Sequence, residues 1–370
     1  MFLGRVGGEL FDQLPCFLAA HSLKTVGVHR VDEEDRAAGD RMVGYRWATL
    51  LGIFLVGPAH LLFRIIEPRA GGAVGAPVQP DKAGEAVLHR LRQRVVGGAH
   101  VGEHLGAEAL GVDLSQLDDD IFTWVRRAFA EHPVLVFRNQ QLGAGDIAAF
   151  GRRFGVPRKH ALVKYRHADY PEVSWLTNVE EDGKIDWYGV KRATDWHTDS
   201  TYEEKLPLLA MLHALEVPPS RGGTMFADMR AAYDALPDDM KERLAGLVGL
   251  HGRSSGPAGE RLYGDDKGAT ERKYDELPRP AVIEHPVSGR AILFVNPMHT
   301  HGFEGMEREA AWRLIEDLAA HATQECFTYY HSWQVGDLLM WDERATMHRG
   351  AGDYHPEERR VMLRTIVYPN

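Results

Sequence analysis

The chain has 370 residues, 44% of them hydrophobic and 26% charged, ordinary globular values and enough to bury one large core or two smaller ones. Its formal net charge is −10 and its basic residues are dispersed, which argues against a nucleic-acid partner. Two cysteines, Cys16 and Cys326, are too few for a disulfide framework, so reduced thiols in a cytoplasmic protein are expected.

Residues 1–80 read as an N-terminal extension, loosely attached or disordered. Their most apolar window, residues 47–63, falls short of the ~20 residues of a membrane helix and holds Gly52, Gly57, Pro58 and His60, so a membrane role is not expected. It also lies too far from the N-terminus to be a signal peptide. The Gly- and Pro-rich stretch 71–80 reads as a linker, and residues 81–100 as a linker or basic helix leading into a main domain over 101–370.

Within that domain the pattern becomes regular. Asp118, Asp119 and Asp120 can cap a helix whose apolar residues Ile121, Trp124, Val125, Ala128 and Phe129 recur at helical spacing. A short buried strand is expected over 133–138 and a second helix over 146–154. Strand-like runs follow at 173–176, 208–217, 291–295, 326–333, 338–341 and 360–368, interrupted by helices over 229–247, broken at Pro237, and 307–322. The whole reads as mainly β with flanking helices (α+β), around a jelly-roll or barrel core.

The chemistry concentrates in a few places. In strand geometry His197 and Asp199 face the same side, as two ligands of one metal must. The triplet alone is a common accident, and a surface hydrogen-bonded pair is its plainer reading. His348 adds a second imidazole, and two imidazoles with one carboxylate form the facial set of non-haem Fe(II), with positions left open. The same set suits the zinc of a hydrolase, although no HExxH is present. Arg360 and Arg364 share one face of the terminal strand, about 13 Å apart at the backbone. Burying them is costly unless each meets an anion; salt bridges at an exposed sheet edge are the plain alternative. Arg360 with the Thr224 hydroxyl could clamp a dicarboxylate. His299 and His301 look like residues of a loop at the mouth of the site. Trp196 and Trp341, beside the candidate ligands, read as packing residues. Tyr202 and Asn178 are open candidates for the pocket wall.

Ordered blocks then carry a resemblance. They include Leu105-Gly-Ala-Glu-Ala-Leu-Gly-Val-Asp113, Arg153-Phe-Gly155, Trp196-His-Thr-Asp199, Pro219-Ser-Arg-Gly-Gly-Thr224, His285-Pro-Val-Ser-Gly-Arg290, Trp341-Asp342, His348 and Arg359-Arg-Val-Met-Leu-Arg364. Over roughly 101–370 the sequence resembles the Fe(II)/2-oxoglutarate dioxygenases typified by taurine dioxygenase and dichlorophenoxyacetate dioxygenase, with several late blocks nearer the second. The resemblance implies a double-stranded β-helix core and His197, Asp199 and His348 as iron ligands. It gives Thr224 and Arg360 the distal carboxylate of 2-oxoglutarate, and Arg364, with His160, the anion of the primary substrate. The loop between His348 and Arg360 is one residue longer than the family pattern. Fe(II), 2-oxoglutarate and O2 are implied, with release of succinate and CO2. The implied substrate is a small carboxylate or sulfonate hydroxylated beside a heteroatom, foremost an aryloxyalkanoate ether that then cleaves; taurine-like sulfonates and sulfate esters are the alternatives. A zinc hydrolase and a non-catalytic jelly-roll binding protein are the rivals from other classes. Homo-oligomerisation is left open.

Overall fold

The structure, a computed structural model, describes residues 97–100, 105–180, 182–191, 193–219, 221–263 and 276–370. The expected extension, its apolar window, the 71–80 linker and residues 81–96 lie outside the described residues. Among the described residues no helix is long and apolar enough to cross a membrane.

Strands β1 (Gly97–His100) and β2 (Ala107–Leu110) precede helix α1 (Asp119–Glu131). The Asp118 carboxylate caps α1 by accepting the Ile121 N–H at 2.8 Å, and Asp119 and Asp120 lie in the first turn, where the helix dipole favours negative charge. The expected apolar stripe is the buried face, except that Trp124 is only half-buried. Phe122 is buried instead, edge-on to Phe154 at 4.9 Å.

β3 (Val134–Phe137), α2 (Ala144–Arg152), β4 (Val156–Pro157), β5 (Ser174–Thr177), α3 (Trp187–Lys191), β6 (Leu209–Glu216) and β7 (Thr224–Asp228) follow. α4 (Met229–Asp234) and α5 (Asp238–Leu244) are the halves of the predicted 229–247 helix. Pro237 separates them because its ring has no N–H to continue the ladder. Next come β8 (Val248–His251), α6 (Pro257–Tyr263), β9 (Leu277–Pro280), β10 (Val282–Glu284), β11 (Ala291–Leu293), β12 (Thr300–Phe303) and α7 (Arg308–Ala322). β13 (Thr328–His331), β14 (Leu338–Asp342), β15 (Thr346–Gly350) and β16 (Val361–Tyr368) close the chain.

An eight-stranded sheet runs in the order β1-β2-β3-β14-β6-β16-β4, with β5 also paired to β16. A second, three-stranded sheet runs β13-β7-β15. Phe226 of β7 and Tyr329 of β13 share one buried cluster with Val136, Leu212, Leu339, Trp341 and Met362 of the large sheet. Two sheets closed on a common apolar layer make the jelly-roll core. A separate cluster joins Leu314, Ile315 and Leu318 of α7 to Met229 and Ala232 of α4 and Ile292 of β11. The helices therefore pack outside, as expected.

Two details differ from the sequence reading. β16 is an interior strand, bonded to β6 on one side and to β5 and β4 on the other, so Arg364 does not lie on an exposed edge, while Arg360 falls just before the strand. A register shift between Val361 and Met362 also breaks the expected alternation, so Val361, Met362 and Leu363 are buried in succession.

At the end of β14, Asp342 accepts from His285 Nε2 at 2.9 Å and from Arg344 Nε and Nη2 at 3.0 and 2.6 Å. Burial pushes its carboxyl up, but these partners outweigh burial and hold it down at about 2. A depressed carboxylate contributes stability above its unfolded value, near 3.9, and loses it as pH falls through the folded value. Asp342 therefore contributes on the order of 2 kcal/mol above about pH 4, lost between about pH 4 and 2. Asp342→Asn is expected to flatten that stretch of the stability–pH curve, measured by denaturant melts.

Candidate active site

β15 holds His348 opposite Phe226 of β7. On its other side the backbones of His348 and His197 exchange hydrogen bonds, His348 N–H to His197 O at 2.8 Å and His197 N–H to His348 O at 3.0 Å. Two residues far apart in sequence are thus locked side by side, their rings 4.2 Å apart. The chain then leaves the extended form. Thr198 donates its hydroxyl to Thr346 O at 2.9 Å, and Ser200 takes a left-handed φ of 56°. Asp199 therefore stands on a turn, not on a strand, and the turn aims its carboxylate back at the two rings.

The three donors converge. His197 Nε2 lies 3.8 Å from Asp199 Oδ1, His348 Nε2 lies 3.9 Å from Oδ2, and the set falls within 4.8 Å. Two donors on one ion with bonds of about 2.1 Å can be no more than about 4.2 Å apart, and both imidazole–carboxylate gaps meet that limit. His197 Nδ1 faces the Asp195 carbonyl at 2.8 Å, which turns Nε2 toward the site. His348 lies between Phe226 and Trp341, and burial pushes its pKa far down, so the ring is neutral. Its buried Nδ1 has no hydrogen-bond partner among the described residues. That orphaned atom is a cost of the ring's placement, which coordination through Nε2 would offset. Burial pushes the Asp199 carboxyl up, but Arg364 and the two histidines outweigh it and hold it well below the usual carboxylate range. Two imidazoles and an ionised carboxylate are a donor set that fits a divalent metal.

Arg364 meets this set directly, its Nη2 donating to Asp199 Oδ2. A second buried carboxyl, Glu343, accepts the Asp199 N–H at 3.0 Å on one oxygen and the Trp341 Nε1–H at 2.9 Å on the other. Burial, with Asp199 beside it, pushes the Glu343 pKa well above the usual range. No sequence signal separated Glu343 from the polar residues around it.

The second cluster lies where β7 begins. Arg360 donates Nε–H to the Gly222 carbonyl at 2.9 Å and Nη2–H to Thr224 Oγ1 at 3.2 Å. Asn178, a candidate for the pocket wall, lies outside it. It is buried and fixes the loop that delivers Arg360, accepting the Arg360 N–H at 2.8 Å and donating to the carbonyls of Pro356 and Glu358. Gly222 has φ +84°, and a Cβ there would meet Pro218 Cγ at 2.8 Å, so the Arg-Gly-Gly-Thr turn needs glycine.

Both clusters open onto one cavity of about 750 Å³, whose wall includes His197, Asp199, His348, Thr224, Arg360 and Arg364. Tyr202 and His160 line it as well. His160 lies edge-on to Tyr165, its Nδ1 3.1 Å from the Leu162 N–H. His299, read from sequence as a loop residue at the mouth, is buried in the wall with its ring 6.3 Å from that of His197. Ser254 N–H donates to its Nδ1 at 3.0 Å, and burial keeps the ring neutral. His301 instead pairs with Glu276 at 3.4 Å.

A jelly roll presenting two imidazoles and a carboxylate to a cavity, with Arg360 and Arg364 in the same wall, fits a non-haem metal oxygenase that takes an anionic co-substrate. The family model described as "Taurine catabolism dioxygenase TauD, TfdA family" matches residues 98–366, and the chain belongs to that family. It is 37% identical over 256 residues to an alpha-ketoglutarate-dependent 2,4-dichlorophenoxyacetate dioxygenase of Cupriavidus pinatubonensis, covering 66% of this chain and 87% of that one. It is 30% identical over 274 residues to an alkylsulfatase of Acinetobacter baylyi, covering 71% and 82%. Among solved structures, AAD-2 in complex with Mn(II) and N-oxalylglycine superposes with a TM-score of 0.65 at 30% identity, covering 74% of this chain and 97% of that chain. The protein is thus an Fe(II)- and 2-oxoglutarate-dependent dioxygenase, which sets aside the zinc hydrolase and the non-catalytic binding protein.

Proposed function

We propose that His197, Asp199 and His348 hold the iron, that Thr224 and Arg360 hold the distal carboxylate of 2-oxoglutarate, and that Arg364, with His160, receives the anion of a small organic substrate. The dioxygenase domain is taken to span 101–370, a reading supported by the family match over 98–366. The observation that carries the substrate reading is the place of Arg364. Its guanidinium touches Asp199 and also lines the cavity, so an anion bound there lies beside the metal ligands. Fe(II) held there would supply, with 2-oxoglutarate and O2, the oxidising power of the reaction, with succinate and CO2 as co-products.

The chain's own part is placement. His348 stays neutral between Phe226 and Trp341, and Asp199 stays ionised against Arg364. The arginine fixes which substrate carbon lies over the metal, and such fixing is worth several orders of magnitude in rate. For an aryloxyalkanoate, hydroxylation at the carbon bearing the ether oxygen gives a hemiacetal that collapses to a phenol and a carbonyl acid. The likeness to a 2,4-dichlorophenoxyacetate dioxygenase favours that class, and the likeness to an alkylsulfatase makes sulfate esters the second reading.

Succinate formation across a panel of aryloxyalkanoates, alkyl sulfates, sulfonates and their neutral analogues tests the reading. The fastest turnover is expected among the aryloxyalkanoates; fastest turnover of a neutral compound overturns it. Arg364→Ala is expected to raise the substrate KM about a hundredfold, from loss of a charge-assisted contact. The dissociation constant for 2-oxoglutarate should change less than about threefold. Equal losses in both would show the two arginines wrongly assigned.

A further inference from the structure

Thr224 is 4% exposed, and its hydroxyl has two donors aimed at it. Arg360 Nη2–H approaches Oγ1 at 3.2 Å, and Trp333 Nε1–H approaches the same oxygen at 3.0 Å. Neither donor can act as an acceptor: an indole N–H and a guanidinium only donate. A hydroxyl oxygen carries two lone pairs and one hydrogen. With both lone pairs taken, the hydrogen must point elsewhere, and no described residue accepts it at hydrogen-bond distance. The Thr224 side chain is therefore set as a donor, beside a cation and in the cavity wall. Such a group suits a carboxylate and penalises a ligand that arrives with an N–H.

The indole is itself held in place. Trp333 is 6% exposed in the cluster between the two sheets. The His331 ring packs edge-on against it at 4.5 Å and 84°. His331 is pinned at both ring nitrogens, by Tyr329 Oη at 2.8 Å and Asp337 Oδ2 at 3.2 Å, and Asp337 in turn takes Arg138 Nη1 at 2.5 Å. A chain of buried contacts thus runs from Arg138 near the end of β3 to the Thr224 hydroxyl at the start of β7.

We propose that Trp333 is a positioning residue for the co-substrate. By occupying one lone pair of Thr224, its N–H forces the hydroxyl to donate to the distal carboxylate of 2-oxoglutarate. Arg360 alone would leave one lone pair free and let the hydroxyl rotate away. This rests on the reading that Thr224 and Arg360 hold that carboxylate.

The test is a cycle of binding measurements on the full-length Mn(II)-loaded protein, with 2-oxoglutarate titrated calorimetrically. Trp333→Phe is expected to weaken binding about five- to tenfold, the worth of one directed hydrogen bond, with kcat at saturating 2-oxoglutarate within about twofold. Thr224→Val should weaken it by a similar factor. In the Thr224→Val background Trp333→Phe should change affinity by less than about twofold, because no hydroxyl remains to direct. In Thr224→Ser the full effect should return. A Trp333→Phe effect of equal size with and without the hydroxyl, or no effect at all, overturns the proposal. If Thr224→Val and Arg360→Ala both leave affinity unchanged, the clamp itself is wrong; if they weaken it and the Trp333 result fails, only the role of Trp333 falls. Should the phenylalanine variant not fold, a benzothienyl side chain at 333, which keeps the ring shape and lacks the N–H, reads the same difference.

Discussion

Asp199→Ala is expected to cut metal affinity by about 10²–10⁴ and to bring turnover down with it. Asp199 supplies the one carboxylate of the donor set, so the variant leaves two imidazoles facing the ion. It also strips Arg364 of its ion-pair partner and leaves that cation beside the metal position. Losing one member of a buried charge pair costs about 3–5 kcal/mol, which sets the expected range. The Glu343 carboxyl, which accepts the Asp199 N–H at 3.0 Å, offers Arg364 a substitute partner, which keeps the fold intact while the metal is lost. Mn(II) binding by calorimetry, with a thermal melt as control, checks both halves. Unchanged metal affinity would move the metal away from His197, Asp199 and His348.

The second large effect belongs to the co-substrate. Arg360→Ala is expected to raise the dissociation constant for 2-oxoglutarate about a hundredfold, the lower end of the cost of an orphaned charge, because Arg360 is only half-buried. Metal affinity should hold, since Arg360 bonds the Gly222 carbonyl and the Thr224 hydroxyl and none of the three metal donors. Thr224→Val should act in the same direction and more weakly, by the loss of one hydrogen bond. A matched loss of metal and co-substrate binding in Arg360→Ala would mean that the two clusters are one unit.

Much of this arrangement was legible in the sequence, though not always for the right local reason. The paired spacing of His197 and Asp199 suggested a strand, whereas a turn through Ser200 brings them together. The strands expected from sequence leave out residues 346–350, yet Thr346, Met347, His348, Arg349 and Gly350 form β15. Its partner is β7, and pairing with a distant strand overrides local pattern. The Arg-Gly-Gly-Thr stretch was legible only as one of the blocks that carry the resemblance; that Gly222 takes a positive φ there came from the structure. The contacts of Arg364 with Asp199, Glu343 with the Asp199 amide and Trp333 with Thr224 link segments far apart in the chain, and no spacing rule reaches that far. The terminal strand shows both sides. Its two arginines stood out as charges needing anions, but its interior place and its register shift follow from β5, β4 and β6.

The most direct test of the central claim is a matched pair of compounds: a phenoxyacetate-type acid and its neutral methyl ester. With Fe(II) and 2-oxoglutarate present, the acid is expected to trigger O2 uptake matched by equal amounts of succinate and phenol. The ester should give only slow uptake without phenol. Equal phenol release from both, or phenol release without O2 consumption, would contradict an anion held by Arg364 beside a metal at His197, Asp199 and His348.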